Sequence, residues 1–314
     1  MAVREKKVVL AGAGTMGASL AQVYAQAGWE TVLWNRSASG LDRARALIAL
    51  NQESFVREGL LTQEASDALL ARIRMTTERD DFSDAALVVE NIVEKLDAKR
   101  AFFAEISPLV PEEALLATNT SGLRISEIAE ACRGPERFMG QHWLNPPHLL
   151  PLCEIIAGER TDPENVRKMR ALVEGLGKRP VVVADISGFL INRLQFALLR
   201  EALHIVDTGA ATVEDVDTAL KAGMGLRYAA LGPFGVADFG GLDTFDHINS
   251  YLNAQLDDSK TGSRRLHEMV EAGKLGVKSG RGFYDYSGDR AAEAIRERDR
   301  LYIELAKVLY FKKT

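Results

Sequence analysis

A histidine and a glutamate flank a Pro-rich corner in the stretch Arg137 to Glu154, RFMGQHWLNPPHLLPLCE. The apolar run ending at His142 reads as a strand, and the run holding Glu154 reads as a second strand that returns the acid toward the histidine. A carboxylate that holds the Nδ1–H of an imidazole leaves the other ring nitrogen free to accept a proton. Its charge also stabilises the imidazolium that results. Such a pair is a general base awaiting an alcohol, although a lone His and a Glu in this relation also serve packing and surface roles.

The elements that could position this pair begin at Lys7 to Gly17, KVVLAGAGTMG, a short apolar strand running into Gly12, Gly14 and Gly17, with Met16 inside the turn. The first glycine makes the tight turn, the second lets backbone approach a pyrophosphate, and the third lets helix and strand pack closely. The helix that follows, ASLAQVYAQAG, offers its N-terminal amides to phosphate. With the second strand at Glu30 to Trp34, this context predicts a Rossmann-type dinucleotide fold.

The end of that second strand is where such folds read the adenosine ribose, and NAD-selective examples place an acid there. Here the residues are Asn35-Arg36-Ser37. Asparagine removes the repulsion between a carboxylate and a 2′-phosphate, and arginine offers that phosphate a planar fork of donors. The expected cofactor is NAD(P), with NADP favoured; the other reading of Arg36 is a solvated loop arginine.

From Gly40 to Arg74 the pattern is helical around a break at Gly59, which predicts a protruding helical pair over the cofactor or substrate mouth. Strands at Ala85 to Val89 and Ala114 to Ala117 flank a helix at Leu96 to Ile106. Polar residues cluster at two strand ends, Glu90-Asn91 leading to Glu94 and Thr118-Asn119-Thr120-Ser121, where open α/β sheets bind ligands. Turn and capping roles account for Asn119 and Thr120 as well. Past a helix at Pro163 to Leu176 and a strand at Pro180 to Val183, strand alternation stops at Asp185-Ile186-Ser187-Gly188. The segments Phe189 to Asp207, Thr212 to Leu220, Leu242 to Leu256 and Ala291 to Leu309 all read as helices, the first apolar around most of its circumference and so expected to be buried on several sides. The expected architecture is α/β: a doubly wound sheet over residues 1–186, then an all-helical domain over residues 187–314 for substrate and dimerisation.

Composition narrows the function classes. The 314 residues are 46% hydrophobic, enough for a large core in two domains, and the formal net charge of -5 offers no footprint for nucleic acid or an anionic membrane. Cys132 and Cys153 have neither metal-ligand spacing nor the density of a disulfide scaffold, so no metal site is expected and the compartment reads as reducing. No apolar run has the length of a membrane span and no leader pattern opens the chain, which predicts a cytoplasmic protein.

These motifs, taken in order, resemble the 3-hydroxyacyl-CoA dehydrogenase family over nearly the whole chain: NTSG with Ser121, HWLNP with His142 and Asn145, Glu154, GFLINR with Asn192, VEKLDAK with Glu94 and Lys99, and the closing KSGRGFYDY with Lys278. The resemblance implies a catalytic set of His142, Glu154, Ser121 and Asn192, the last two also touching substrate. It implies a cofactor side that adds Glu94, Lys99, Asn119, Asn145 and Lys278 to the glycine loop, and a homodimer through the helical domains. The implied reaction is reversible oxidation of the 3-hydroxyl of a (3S)-3-hydroxyacyl-CoA, a small-molecule substrate of fatty acid metabolism.

Two departures pull toward free 3-hydroxy acids. Between Asn51 and Arg74 the only cations are Arg57, Arg72 and Arg74, set among Glu53, Glu58, Glu64 and Asp67. The stretch Gly223 to Phe234, GMGLRYAALGPF, resembles the branch with lambda-crystallin-like gulonate and carnitine dehydrogenases, and its Arg227 could pair with a substrate carboxylate. A crystallin-like structural protein that merely binds cofactor is the alternative from another class.

Overall fold

The computed structural model describes residues 6–310, so the chain's opening residues and the outer ends of both expected domains lie outside it. Contacts divide the chain into Met1–Ile191 and Asn192–Thr314.

The first unit is built on eight strands: β1 (Lys7–Ala11), β2 (Glu30–Trp34), β3 (Ile73–Thr76), β4 (Leu87–Glu90), β5 (Leu115–Thr118), β6 (Phe138–Trp143), β7 (Leu152–Ala157) and β8 (Arg179–Ala184). They form one sheet in the order β3-β2-β1-β4-β5-β6-β7-β8. Neighbours run parallel except β6 and β7. Both faces are covered, which is why the strands read as continuous apolar runs. On one face Val8, Leu10, Leu87 and Val89 pack with Leu20 and Tyr24, and on the other Val9, Val88 and Leu116 pack with Phe102, Phe103 and Phe138. The helices of this unit are α1 (Thr15–Gln26), α2 (Ala38–Arg57), α3 (Gln63–Leu70), α4 (Leu96–Ile106), α5 (Ile125–Ala129) and α6 (Pro163–Gly175).

The stretch from Gly40 to Arg74 departs from the sequence reading in two ways. Its last residues form β3 on the sheet edge, a strand too short to interrupt the helical pattern before it. The helix pair itself does not protrude. Leu41, Ala44, Ile48 and Phe55 of α2 are buried, and a polar chain ties both helices to α1. Gln22 accepts from Gln52 at 2.8 Å, and Gln52 accepts from the Ser66 hydroxyl at 2.9 Å, all three being buried.

The second unit is helical: α7 (Ile191–Asp207), α8 (Val213–Ala219), α9 (Leu226–Gly240), α10 (Leu242–Leu252), α11 (Arg264–Glu271) and α12 (Arg290–Leu309). Thr212 caps α8 by accepting from the Asp215 amide at 3.1 Å. The sequence reading missed α9 and α11. In α9 the Gly-rich sequence masks a helix entered through a π-helical turn at Leu220–Gly225, and Gly232, at φ +70°, breaks it internally. Helix α7 is not buried on several sides: Leu203 is its buried residue, while Leu194 and Phe196 are 54% and 58% exposed. Phe234 and Phe239 of α9 are 87% and 83% exposed. Apolar side chains on this scale in water mark a surface that another surface covers.

Replacing Gln52 by Ala leaves the Gln22 side-chain oxygen and the Ser66 hydroxyl buried without that partner, a loss of about 1–3 kcal/mol. Urea denaturation of Gln52→Ala is expected to show that loss with steady-state activity retained. Unchanged stability would mean the helix pair is not docked by this chain.

Candidate active site

The β6–β7 pairing places His142 directly opposite Glu154. Their side chains meet on one face of the sheet, with His142 Nδ1 and Glu154 Oε2 2.6 Å apart and both residues buried. The carboxylate's other oxygen, Oε1, accepts from the backbone amides of Leu190 and Ile191 at 2.8 and 2.9 Å. Glu154 is thus satisfied at both oxygens. Burial alone would push its carboxyl up, but the His142 bond and the two amides hold it below the ordinary carboxylate range. An acceptor-only carboxylate fixes the proton of a neutral imidazole on Nδ1 and leaves Nε2 as the basic atom.

Sequence reasoning missed what aims those amides. Phe189 is fully buried at φ +49°, a conformation that a bulky side chain rarely adopts, and its ring lies 5.5 Å from the His142 ring. The turn closes through the Phe189 amide on Ile186 O at 3.0 Å, and Asp185 in the same turn accepts from the Ile125 and Ser126 amides that open α5. The sequence signal was the change of character at Asp185–Gly188, read there only as a boundary.

The glycine loop lies where β1 parts from β2 and β4, the topological switch point of the sheet. Gly12 has φ +109°, and a Cβ there would lie 2.6 Å from Asn91 O. A Cβ on Gly17 would lie 1.9 Å from Gly12 O, whereas one on Gly14 would meet nothing within 4 Å. Two glycines therefore pack the turn and the third faces open space, the arrangement a pyrophosphate needs to approach backbone at a helix start. The residues present fit a dinucleotide. Met16 is half-buried and packs on the core. Asn35 braces the loop, its side-chain oxygen accepting from the Ala13 amide at 3.3 Å and its nitrogen donating to Ser37 O at 2.9 Å. Arg36 is exposed.

The strand ends of β4 and β5 are tied together. Lys99 is fully buried, its ammonium donating to both Glu90 oxygens at 2.7 and 2.9 Å and pairing with Glu94 at 3.3 Å. Burial keeps the Glu90 carboxyl above its ordinary value despite Lys99. Glu94 accepts from the Thr120 hydroxyl and from the Ser121 amide, the latter at 2.8 Å. Burial raises the Glu94 carboxyl, but Thr120, Lys99 and the Ser121 amide together hold it below the ordinary range. Lys99 is therefore not presented to solvent as a cofactor ligand would be; its contacts run through Glu94 to the Ser121 loop. Asn119 donates to Asn91 at 2.9 Å and accepts from the Trp143 amide at 3.0 Å, linking that loop to the residue after His142. Ser121 and Asn145 are exposed, Asn145 in the corner that follows β6.

The remaining sequence candidates belong to the second unit. Asn192 stands in the first turn of α7, and Arg227 is exposed at the start of α9, on a helix rather than the expected loop. Lys278 sits in a short turn at Val277–Ser279 and lines an apolar cavity with Leu203, Phe283 and Tyr284. Among the described residues no cluster of His, Cys, Asp and Glu could hold a metal ion, and no helix is long and apolar enough to cross a membrane.

Comparison with known proteins gives a concordant picture. The profile described as 3-hydroxyacyl-CoA dehydrogenase, NAD binding domain, matches residues 7–186, and that of the 3-hydroxyacyl-CoA dehydrogenase C-terminal domain matches residues 188–286. The chain is 40% identical to a probable 3-hydroxybutyryl-CoA dehydrogenase of Deinococcus radiodurans, covering 88% of this chain and 98% of the relative. It is 33% identical to a 5-formyl-3-hydroxy-2-methylpyridine 4-carboxylate 5-dehydrogenase of Mesorhizobium japonicum, covering 97% and 98%. A crystal structure of an enzyme of that activity, an NAD+-dependent dismutase, superposes with a TM-score of 0.91 at 33% identity, over 99% of this chain and 100% of that one.

Because the Glu154 carboxyl is held low, its charge supports the fold fully above its unfolded value of about 4.5, and that support is lost as pH falls through the lower folded value. Glu154→Gln is expected to flatten the acid limb of stability measured by denaturation between about pH 2 and 5. An acid limb identical to that of the wild type would assign acid unfolding to other carboxylates.

Proposed function

Because the chain belongs to the 3-hydroxyacyl-CoA dehydrogenase family and is an oxidoreductase with an NAD-binding domain, we propose that it oxidises, reversibly, a hydroxyl on the carbon β to a carboxyl-derived carbonyl. The observation that carries this reading is the buried His142–Glu154 contact at 2.6 Å. His142 Nε2 takes the hydroxyl proton as the carbonyl forms, and in the reverse direction the imidazolium returns it. Glu154 holds the ring's tautomer and stabilises the imidazolium. Ser121, on the loop that Glu94 positions, and Asn192 donate to the oxygen where negative charge develops. Bound nicotinamide supplies the hydride acceptor.

Short (3S)-3-hydroxyacyl-CoA thioesters are the leading substrates, supported by the family profiles and by relatives of that activity. A second reading, a free hydroxy acid, is favoured by two observations. The cations between Asn51 and Arg74 are already engaged: Arg57 with Glu58, Arg72 with Ala68 O, and Arg74 with Asp81. An end-to-end structural match at a TM-score of 0.91 is to an enzyme named for a pyridine carboxylate. Arg227 is the carboxylate partner in that reading. The protein works, on this account, as a cytoplasmic homodimer whose partner covers the exposed apolar residues of α7 and α9.

Three measurements check these assignments. His142→Gln is expected to lower kcat/KM by about 10²- to 10⁴-fold with both acetoacetyl-CoA and free 3-keto acids as trial substrates; near-normal turnover would remove His142 as the base. Arg36→Ala is expected to weaken NADP(H) binding by about tenfold more than NAD(H), since no strand-end acid is present to select the ribose hydroxyl. Equal losses would make Arg36 a surface residue. Sedimentation at micromolar concentration is expected to give a dimer, and a monomer would contradict the covering of α7 and α9.

A further inference from the structure

The corner that joins His142 to Glu154 is poor in its own hydrogen-bond donors. Asn145, Pro146, Pro147, His148, Leu149, Leu150 and Pro151 include three residues with no backbone N–H. The amides of Leu149 and Leu150 both turn onto Pro146 O at 3.0 Å, so the carbonyls of Pro147 and Leu150 need a donor from elsewhere. Lys178, the residue before β8, supplies it. Its ammonium is buried, 7% of the residue being exposed, and donates to Pro147 O at 2.7 Å and to Leu150 O at 3.1 Å. Next to it, the Arg179 amide donates to Pro151 O at 2.8 Å, which starts the β7–β8 register.

We infer that Lys178 is a positioning residue for the reaction, a two-pronged clamp that fixes the corner between His142 and Glu154 and so sets the placement of Asn145 and of the histidine's strand end. Among the described residues no carboxylate is ion-paired with this ammonium. Burial brings its ionisation down to about 8, with only the Cys153 thiol acting the other way. A side chain serving only to fill space there would be apolar; a buried cation facing two carbonyls serves as a donor. The clamp acts at one remove, since Lys178 hydrogen-bonds backbone carbonyls of the corner, and the corner joins the strand end at His142 to the strand that carries Glu154. The inference rests on the His142–Glu154 reading of the site.

The test compares full-length Lys178→Met and Lys178→Gln, each alone and combined with Asn145→Ala, beside His142→Gln. Lys178→Met is expected to lower kcat by about 10- to 100-fold, with KM for the acyl substrate changing by less than about threefold, because misplacement rather than lost substrate binding is the defect. Lys178→Gln, which keeps a donor, is expected to recover part of that loss. In the Asn145→Ala background either substitution is expected to cost less than about threefold further, the two residues acting as one unit. A natively folded Lys178→Met enzyme with wild-type kcat, or an equal loss in both backgrounds, overturns the clamp. Should Lys178→Met fail to fold, Lys178→Gln decides: a fall in kcat seen only with Asn145 intact supports the clamp, and wild-type kcat overturns it. An active His142→Gln enzyme defeats the reading of the site itself, whereas an inactive one beside an unimpaired Lys178→Met defeats only the clamp.

Discussion

A carboxylate buried against an imidazole constrains everything around it, because its charge must be met on both oxygens or expelled from the interior. Glu154 meets that condition with His142 on one side and the Leu190 and Ile191 amides on the other. The requirement explains two features that otherwise look like irregularities. One is the β6–β7 pairing, antiparallel in a sheet whose other neighbours are parallel, which alone puts residues at either end of a hairpin side by side. The other is the positive φ of buried Phe189, the local distortion that turns two successive amides toward the acid.

The same logic orders the strand ends. Glu90 is buried and has Lys99 as its counterion, and Lys99 in turn reaches Glu94. Through Thr120 and the Ser121 amide, that ion network holds the loop after β5, and Asn119 connects the loop to Trp143 beside the histidine. Groups that read in the sequence as separate addresses are one connected polar assembly beyond the carboxyl ends of the central strands, next to a glycine turn packed too tightly for any other residue at Gly12 or Gly17. A fully satisfied network of this kind is rigid, as a hydride-transfer site requires.

Much of this was legible in the sequence. The strand–glycine–helix opening, the sheet's alternation and the His142–Glu154 relation follow from residue types and periodicity, and the structure places them so. What was not legible depends on tertiary neighbours. Lys99 resembles a cofactor ligand in its motif, yet the buried Glu90 carboxylate at the end of the preceding strand draws it inside. Strand β3 was absorbed into the helical pattern before it, because its place on the edge comes from pairing with β2 rather than from its own composition. The Gly-rich run before Phe234 resembled a loop, and packing made it a helix. Lys178 gave no signal, since a single lysine before a strand acquires meaning only when two orphan carbonyls of a Pro-rich corner are seen above it.

The central claim is that Glu154 holds the neutral His142 ring with its proton on Nδ1, leaving Nε2 as the base. Nitrogen-15 NMR of histidine-labelled protein, with the His142 signals assigned by their loss in His142→Gln, reads the tautomer directly. The account predicts a protonated Nδ1 with a strongly downfield proton that disappears in Glu154→Gln, the Nδ1–H tautomer being the one populated in the neutral ring. A proton resting on Nε2, or a His142 spectrum indifferent to Glu154→Gln, would contradict it.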